Sequence, residues 1–145
     1  MKTLLTLTGL LVLTACDHTP NKDVRDALKY QKAQWIAMGV HSYSYVYGEE
    51  CFCVGPRAVR VVVENDVLKS VTDPDSGAPV VYEPATAHFT VPQLYDYLIT
   101  SATRASEIGV QFDPTVHMPS MAWIDFIKLA IDDEITVLTH SFQAK

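Results

Sequence analysis

Cysteine, glycine and basic charge are all scarce in this chain, and each scarcity removes a class of function. Three cysteines in 145 residues, two of them at Cys51 and Cys53, cannot complete a tetrahedral metal site without histidines at finger-like spacing. No such histidine lies near them, so no metal is expected. Six glycines, most in loops, leave no phosphate-cradling segment, and nucleotide or other cofactors are not expected. Eleven basic residues against seventeen acidic ones give no footprint for nucleic acid and no polybasic stretch to hold anionic lipid. There is no Gly-x-Ser-x-Gly elbow and no His-x-x-x-His helix, so no catalytic motif is visible and the chain does not read as an enzyme. The longest apolar run, Leu4 to Leu13, is interrupted by Thr6, Thr8 and Gly9. It is too short for the ~20 residues of a membrane-spanning helix.

What that run does provide is an address. A basic start at Lys2, a short apolar core and Leu13-Thr14-Ala15-Cys16 have the parts of an export signal. The ending resembles the lipobox of bacterial lipoprotein precursors, which implies cleavage before Cys16 and lipid on its thiol. Residues 1–15 are then the signal peptide and 16–21 a lipid-attached tether. Removing 15 residues from 145 leaves 130, and loss of Lys2 takes the formal charge from −6 to −7. The membrane is thus a partner through the covalent lipid on Cys16, and the domain faces the periplasm or exterior of a bacterial envelope. Lipidation also leaves an even pair, Cys51 and Cys53, in an oxidising compartment.

The remainder, 22–145, reads as one α+β domain with tandem halves at 22–84 and 85–145. Val24, Leu28, Trp35 and Met38 form one helical stripe, and Gly39 follows as a C′ residue. This predicts a helix over 22–38. Alternation over His41–Tyr47, 58–64 and Val67–Thr72 predicts strands, the last two joined by a tight turn at Asn65-Asp66. Val80–Tyr82 reads as a short edge strand. Thr90 and Gln93 compose a capping box, Pro92 sits in the first turn, and a helix over 91–104 follows. Strand patterns over 107–113, 121–128 and 134–142 complete the chain. Two α-β-β-β units of this kind predict an antiparallel sheet with both helices on one face.

Trp35, Tyr43-x-Tyr45, Cys51-x-Cys53, the Val-rich hairpin at 59–71, Thr90-Val91-x-x-Leu94-Tyr95, Phe112-Asp113, Trp123-Ile124-Asp125 and Asp132-Asp133-Glu134 together resemble an uncharacterised family of bacterial secreted and lipid-anchored proteins, a domain of unknown function. The family's Tyr-Asp and Gly-Tyr-Pro stand here as Phe112-Asp113 and His117-Met118-Pro119. The element order is also similar to β-lactamase-inhibitor-like and PepSY-like architectures, most of whose members bind proteins. That implies a binding or inhibitor-like module with an envelope protein as partner, by fold analogy.

Three candidate features stand out. Cys51 and Cys53 are expected to bond to each other; a structural staple, a redox-active bridge and pairing with another protein all fit the spacing. Side chains at i and i+2 share a strand face about 6.5–7 Å apart, at the limit for a disulfide, so closure needs a turn, which Gly48 and Gly55-Pro56 would supply. Tyr43, Tyr45 and Tyr47 line one strand face. Packed under a helix with Trp35 they are core; turned outward they are an interaction surface. Asp73-x-Asp75-x-Gly77 and Asp132-Asp133-Glu134 read as solvated turns, since the first lacks the later ligands of a calcium loop. The expected function is a lipid-anchored, non-catalytic binding module, with a redox-active envelope protein and a purely structural lipoprotein as alternatives.

Overall fold

A computed structural model describes residues 21–52, 58–82, 89–130 and 132–145. Two helices, α1 (Lys22–Ala37) and α2 (Val91–Arg104), accompany six strands: β1 (Tyr43–Glu50), β2 (Ala58–Glu64), β3 (Val67–Thr72), β4 (Glu107–Phe112), β5 (Pro119–Asp125) and β6 (Glu134–Ala144). The strands form one antiparallel sheet in the order β3-β2-β1-β6-β5-β4. The protein is therefore a mixed α+β domain. The expected signal peptide over 1–15, nearly all of the expected tether over 16–21, and Cys53 lie outside the described residues.

The helices run antiparallel to each other over one sheet face. Leu28 and Trp35 of α1 and Val91, Leu94, Tyr95, Leu98 and Ala102 of α2 are buried there. Met38 is 40% exposed, so the α1 stripe ends at Trp35: Met38 is the C-cap residue, and Gly39 at φ 64° turns the chain away behind it. In β2 the expected alternation holds, with Val59, Val61 and Val63 buried, opposite Tyr47, Tyr45 and Tyr43 in register. Both central residues of the β2–β3 turn, Asn65 and Asp66, have positive φ, the geometry that matches a hairpin to the twist of its strands. At α2 both arms of the capping box form. The Gln93 amide donates to Thr90 Oγ1 at 3.3 Å and the Thr90 amide to Gln93 Oε1 at 3.0 Å.

Several boundaries differ from the sequence pattern. Gly48 makes no turn; it lies inside β1, paired with Ala58 and Leu138, and the strand runs on to Glu50. Val80–Tyr82 is no strand but a single bridge, Thr72 to Pro79. β5 begins at Pro119, and Phe126-Ile127-Lys128 belongs to the following turn. β6 carries a bulge: Ser44 pairs with Gln143 but Val46 with His140. The extra residue, at Ser141 with φ 56°, transfers Phe142 to the helix side. There its ring meets Trp35 edge-on at 5.6 Å.

The two halves share an element order but not a topology. In the first, the meander runs outward from the central β1 to the edge β3. In the second it runs inward from the edge β4 to the central β6. First and last strands thus meet in the middle of the sheet.

Candidate functional site

The tyrosine row belongs to the core. Tyr43, Tyr45 and Tyr47 are 1%, 0% and 5% exposed, so the interaction-surface reading of these three gives way. Their hydroxyls explain why tyrosine, and not phenylalanine, stands there. Tyr43 Oη accepts the Val91 amide at 2.9 Å, one of the orphan donors of the first turn of α2. Tyr45 donates to the Phe89 carbonyl at 2.7 Å. The Tyr-x-Tyr pair therefore brackets the start of α2 from the sheet. Burial pushes Tyr43 up to about 12, against the pull of the Val91 amide, and raises Tyr45 well above its ordinary value.

Tyr47 leads to a different neighbourhood at the other end of β1. Its hydroxyl donates to Glu49 Oε2 at 2.7 Å, and its ring meets Phe89 edge-on at 5.5 Å. Burial, then the Glu49 charge, raises Tyr47. Burial and the same carboxylate raise Tyr97 of α2, opposed by a hydrogen bond with Ser101. Cys51 Sγ lies 3.9 Å from Glu49 Oε1 and is disulfide-bonded. Glu49 therefore stands between two tyrosines and a disulfide sulfur where β1 emerges from beneath α2. Cys53, the expected partner, lies outside the described residues.

The second sheet face has a different character. Register places Val46 of β1, Val62 of β2, Leu138 of β6, and Met121 and Trp123 of β5 on it, with Met121 directly opposite Leu138 and Trp123 opposite Thr136. Among the described residues no helix or strand covers it. Val46 is buried at its middle, while Val62, Met121, Trp123 and Leu138 keep partial exposure. Arg60 and His140 flank Val46 in register, and Glu64 pairs with Lys145 at 3.5 Å. At one end Glu107, Asp125 and Glu134 sit side by side across three strands. Like charges directly opposite each other work against pairing.

The remaining candidates act within the fold. Asp73 Oδ1 accepts from the Asp75 and Ser76 amides and the Ser76 hydroxyl, and those bonds hold its carboxyl below the usual range. Asp133 accepts the Ile127 amide at 2.6 Å. Among the described residues no cluster of three or more His, Cys, Asp or Glu could hold a metal. His41 pairs with Asp66 at the surface. His117 is half-buried, with its ring on Gln31 of α1 at 2.8 Å and its carbonyl accepting Tyr95 Oη.

One repeated device escaped the pattern reading. Asp73-Pro74-x-x-Gly77-x-Pro79 recurs forty positions on as Asp113-Pro114-x-x-His117-x-Pro119. In both, the Asp amide donates to the carbonyl five positions on (Ala78, Met118) at 2.8 Å, and its carbonyl accepts the amide four positions on (Gly77, His117) at 2.9 Å. Gly77 and His117 both have positive φ. The first copy ends at the Thr72–Pro79 bridge and the second at the Phe112–Pro119 pair. The Asp-Pro-x₄-Pro spacing was the available signal.

No curated protein and no solved structure matches the chain. Residues 27–144 match a family of unknown function, DUF6174. The match takes in both helices from Ala27 onward and all six strands, and the chain belongs to that family.

Proposed function

We propose that this chain is a lipid-anchored envelope domain that acts by binding another protein through the open face of its sheet. The observation that carries the reading is the asymmetry of the sheet. One face is sealed by α1 and α2; the other presents Met121, Trp123 and Leu138 close together on β5 and β6, with Val62 farther off beyond β1, and among the described residues no helix or strand lies above them. Apolar patches rimmed by polar groups mark interaction sites, and tryptophan is prominent among residues that dominate binding energy. The export signal and Cys16 supply the envelope address. A photo-crosslinking residue placed at Met121, Trp123 or Leu138 in living cells is expected to give one common adduct, absent when it is placed at Tyr30 on α1. Adducts equal from both faces, or none from the open face, overturn the reading.

A second reading has its own support in the disulfide sulfur of Cys51 beside Glu49. If Cys51 and Cys53 form a redox-active bridge, a dithiol reductant would open it, with both sulfurs taking electrons and the reductant becoming a disulfide. Glu49 would then be the nearest proton acceptor and donor. Rapid reduction of the native protein by a thioredoxin-like dithiol, slowed by Glu49→Gln, would favour this reading over binding alone.

A further inference from the structure

The end of the molecule from which the chain leads back toward Cys16 also carries its most conspicuous apolar turn. Asn21, preceding α1, donates its side-chain amide to the carbonyls of Ala102 and Ala105 at 3.3 and 3.0 Å, so the start of α1 lies against the end of α2. Arg104, next to Ala105, holds its guanidinium 5.9 Å from the Phe126 ring centre. Phe126 opens the β5–β6 turn, closed by the Ala130 amide on the Ile127 carbonyl at 2.9 Å. Ile127 is 62% and Leu129 93% exposed. The chain leaving β1, one strand from β5 across β6, emerges at the same end and exposes 85% of Phe52.

Leu129 is the telling residue. Its φ of 69° places it in the left-handed region, where glycine or asparagine is favoured and a bulky side chain is strained. A leucine there is normally compensated by packing, yet this one is almost wholly in solvent. Lys128 stands between the two aliphatics, able to lay its methylenes beside them and lift its ammonium to a phosphate. From Cys16 to Asn21 the chain has five residue steps, a reach of about 18 Å at most. Acyl chains on Cys16 would therefore keep this tip within a short distance of the bilayer surface. A tethered contact of this kind needs little affinity of its own.

We propose that the Phe126–Ala130 turn, with Phe52 beside it, is a bilayer-contacting tip that dips into the leaflet holding the Cys16 lipid and so orients the domain. The proposal rests on the lipid-anchor reading above. Glu50, Glu107, Asp125 and Glu134 lie at the same end, so insertion is driven by apolar contact and suits zwitterionic headgroups. With the tip in the membrane, the Asn65-Asp66 turn and the 113–118 loop point away from it.

The test uses the full chain, isolated from membranes and reconstituted in phosphatidylcholine–phosphatidylethanolamine vesicles containing brominated phosphatidylcholine, a contact quencher of tryptophan. Leu129→Trp and, separately, Ile127→Trp are compared with Val67→Trp at the opposite end of the sheet. The signal of unsubstituted Trp35 and Trp123 is subtracted. Quenching of the added tryptophan at 127 and 129, with none at 67, is the expected result. Flotation of the chain and the mass of the Cys16 peptide report the anchor independently. An acylated, floating chain whose tryptophans at 127 and 129 are unquenched overturns the tip while leaving the anchor standing. Equal quenching at 67 overturns it too, and an unacylated chain that stays in solution removes both.

Discussion

The hydroxyl of Tyr43 on β1 accepts the main-chain amide of Val91, 2.9 Å away, at the first turn of α2. Removing it leaves a buried donor with no acceptor, which costs about 1–3 kcal/mol. Tyr43→Phe should therefore lower unfolding free energy by about that amount in urea titration. Its volume is nearly unchanged, so the loss reports the hydrogen bond and not packing.

Alkaline pH should act through the same side chains. Tyr43 is held at about 12 in the folded protein against about 10 when unfolded. The folded state keeps a proton that the unfolded chain has released. Its contribution is fully present below about pH 10 and is lost as pH rises toward 12. For Tyr43 alone the loss is about 3 kcal/mol at the end of that interval. Tyr45, Tyr47, Tyr95 and Tyr97 are raised in the same direction. Stability followed against pH should therefore fall from about pH 10 more steeply than one tyrosine allows, and Tyr43→Phe should shallow the fall.

Gly77 and His117 offer a matched pair of backbone tests. A Cβ at Gly77 would meet nothing within 4 Å, so any cost of Gly77→Ala is conformational, about 1–2 kcal/mol for a left-handed residue. His117→Gly relieves that strain but forfeits the ring's bond to Gln31, and the two effects should nearly cancel in thermal melts. A large loss there would show that the Gln31 contact outweighs the strain.

Trp35 packs edge-on against Tyr43 at 5.3 Å and against Phe142 at 5.6 Å. Trp35→Ala should cost about 3–5 kcal/mol. The measurement is again the urea midpoint, with the slope checked for loss of cooperativity.

The proposed lipid on Cys16 and the expected Cys51–Cys53 bridge can be tested separately in one set of strains. Cys16→Ser is expected to release the protein from membranes or stop its maturation, because stable anchoring takes more than one acyl chain. Cys51→Ser/Cys53→Ser should leave a folded protein, since so small a loop gains little from cross-linking. Thiol labels should react with the parent chain only after reduction. Free thiols at both positions in protein isolated from cells would contradict the bridge.

Much of this architecture is legible from local chemistry, and the failures share a cause. The Thr90–Gln93 box and the β2–β3 turn are specified by neighbouring residues, and both form as read. Ser141 and Phe142 show the limit: period-two alternation carries Phe142 to the open face, but the bulge at Ser141 turns it to the helix side, where it meets Trp35. Val80–Tyr82 has the composition of a strand but forms none; the single bridge falls at Pro79, just before it. The open face was illegible for a related reason. Val46, Met121, Trp123 and Leu138 look like core in any window, and only sheet order shows that among the described residues no helix covers them.

The meeting of β1 and β6 has a consequence for how the chain comes into being. Tyr43, among the first residues of the sheet, pairs with Ala144, the last but one of the chain. A nascent polypeptide can build the outer hairpins as it emerges but cannot join them until its final strand is available. Contacts so distant in sequence are slow to form. Until β6 has been synthesised, the β1–β3 and β4–β5 hairpins have no strand between them and keep open inner edges, so a ribosome stalled in β6 would hold a sheet still in two parts.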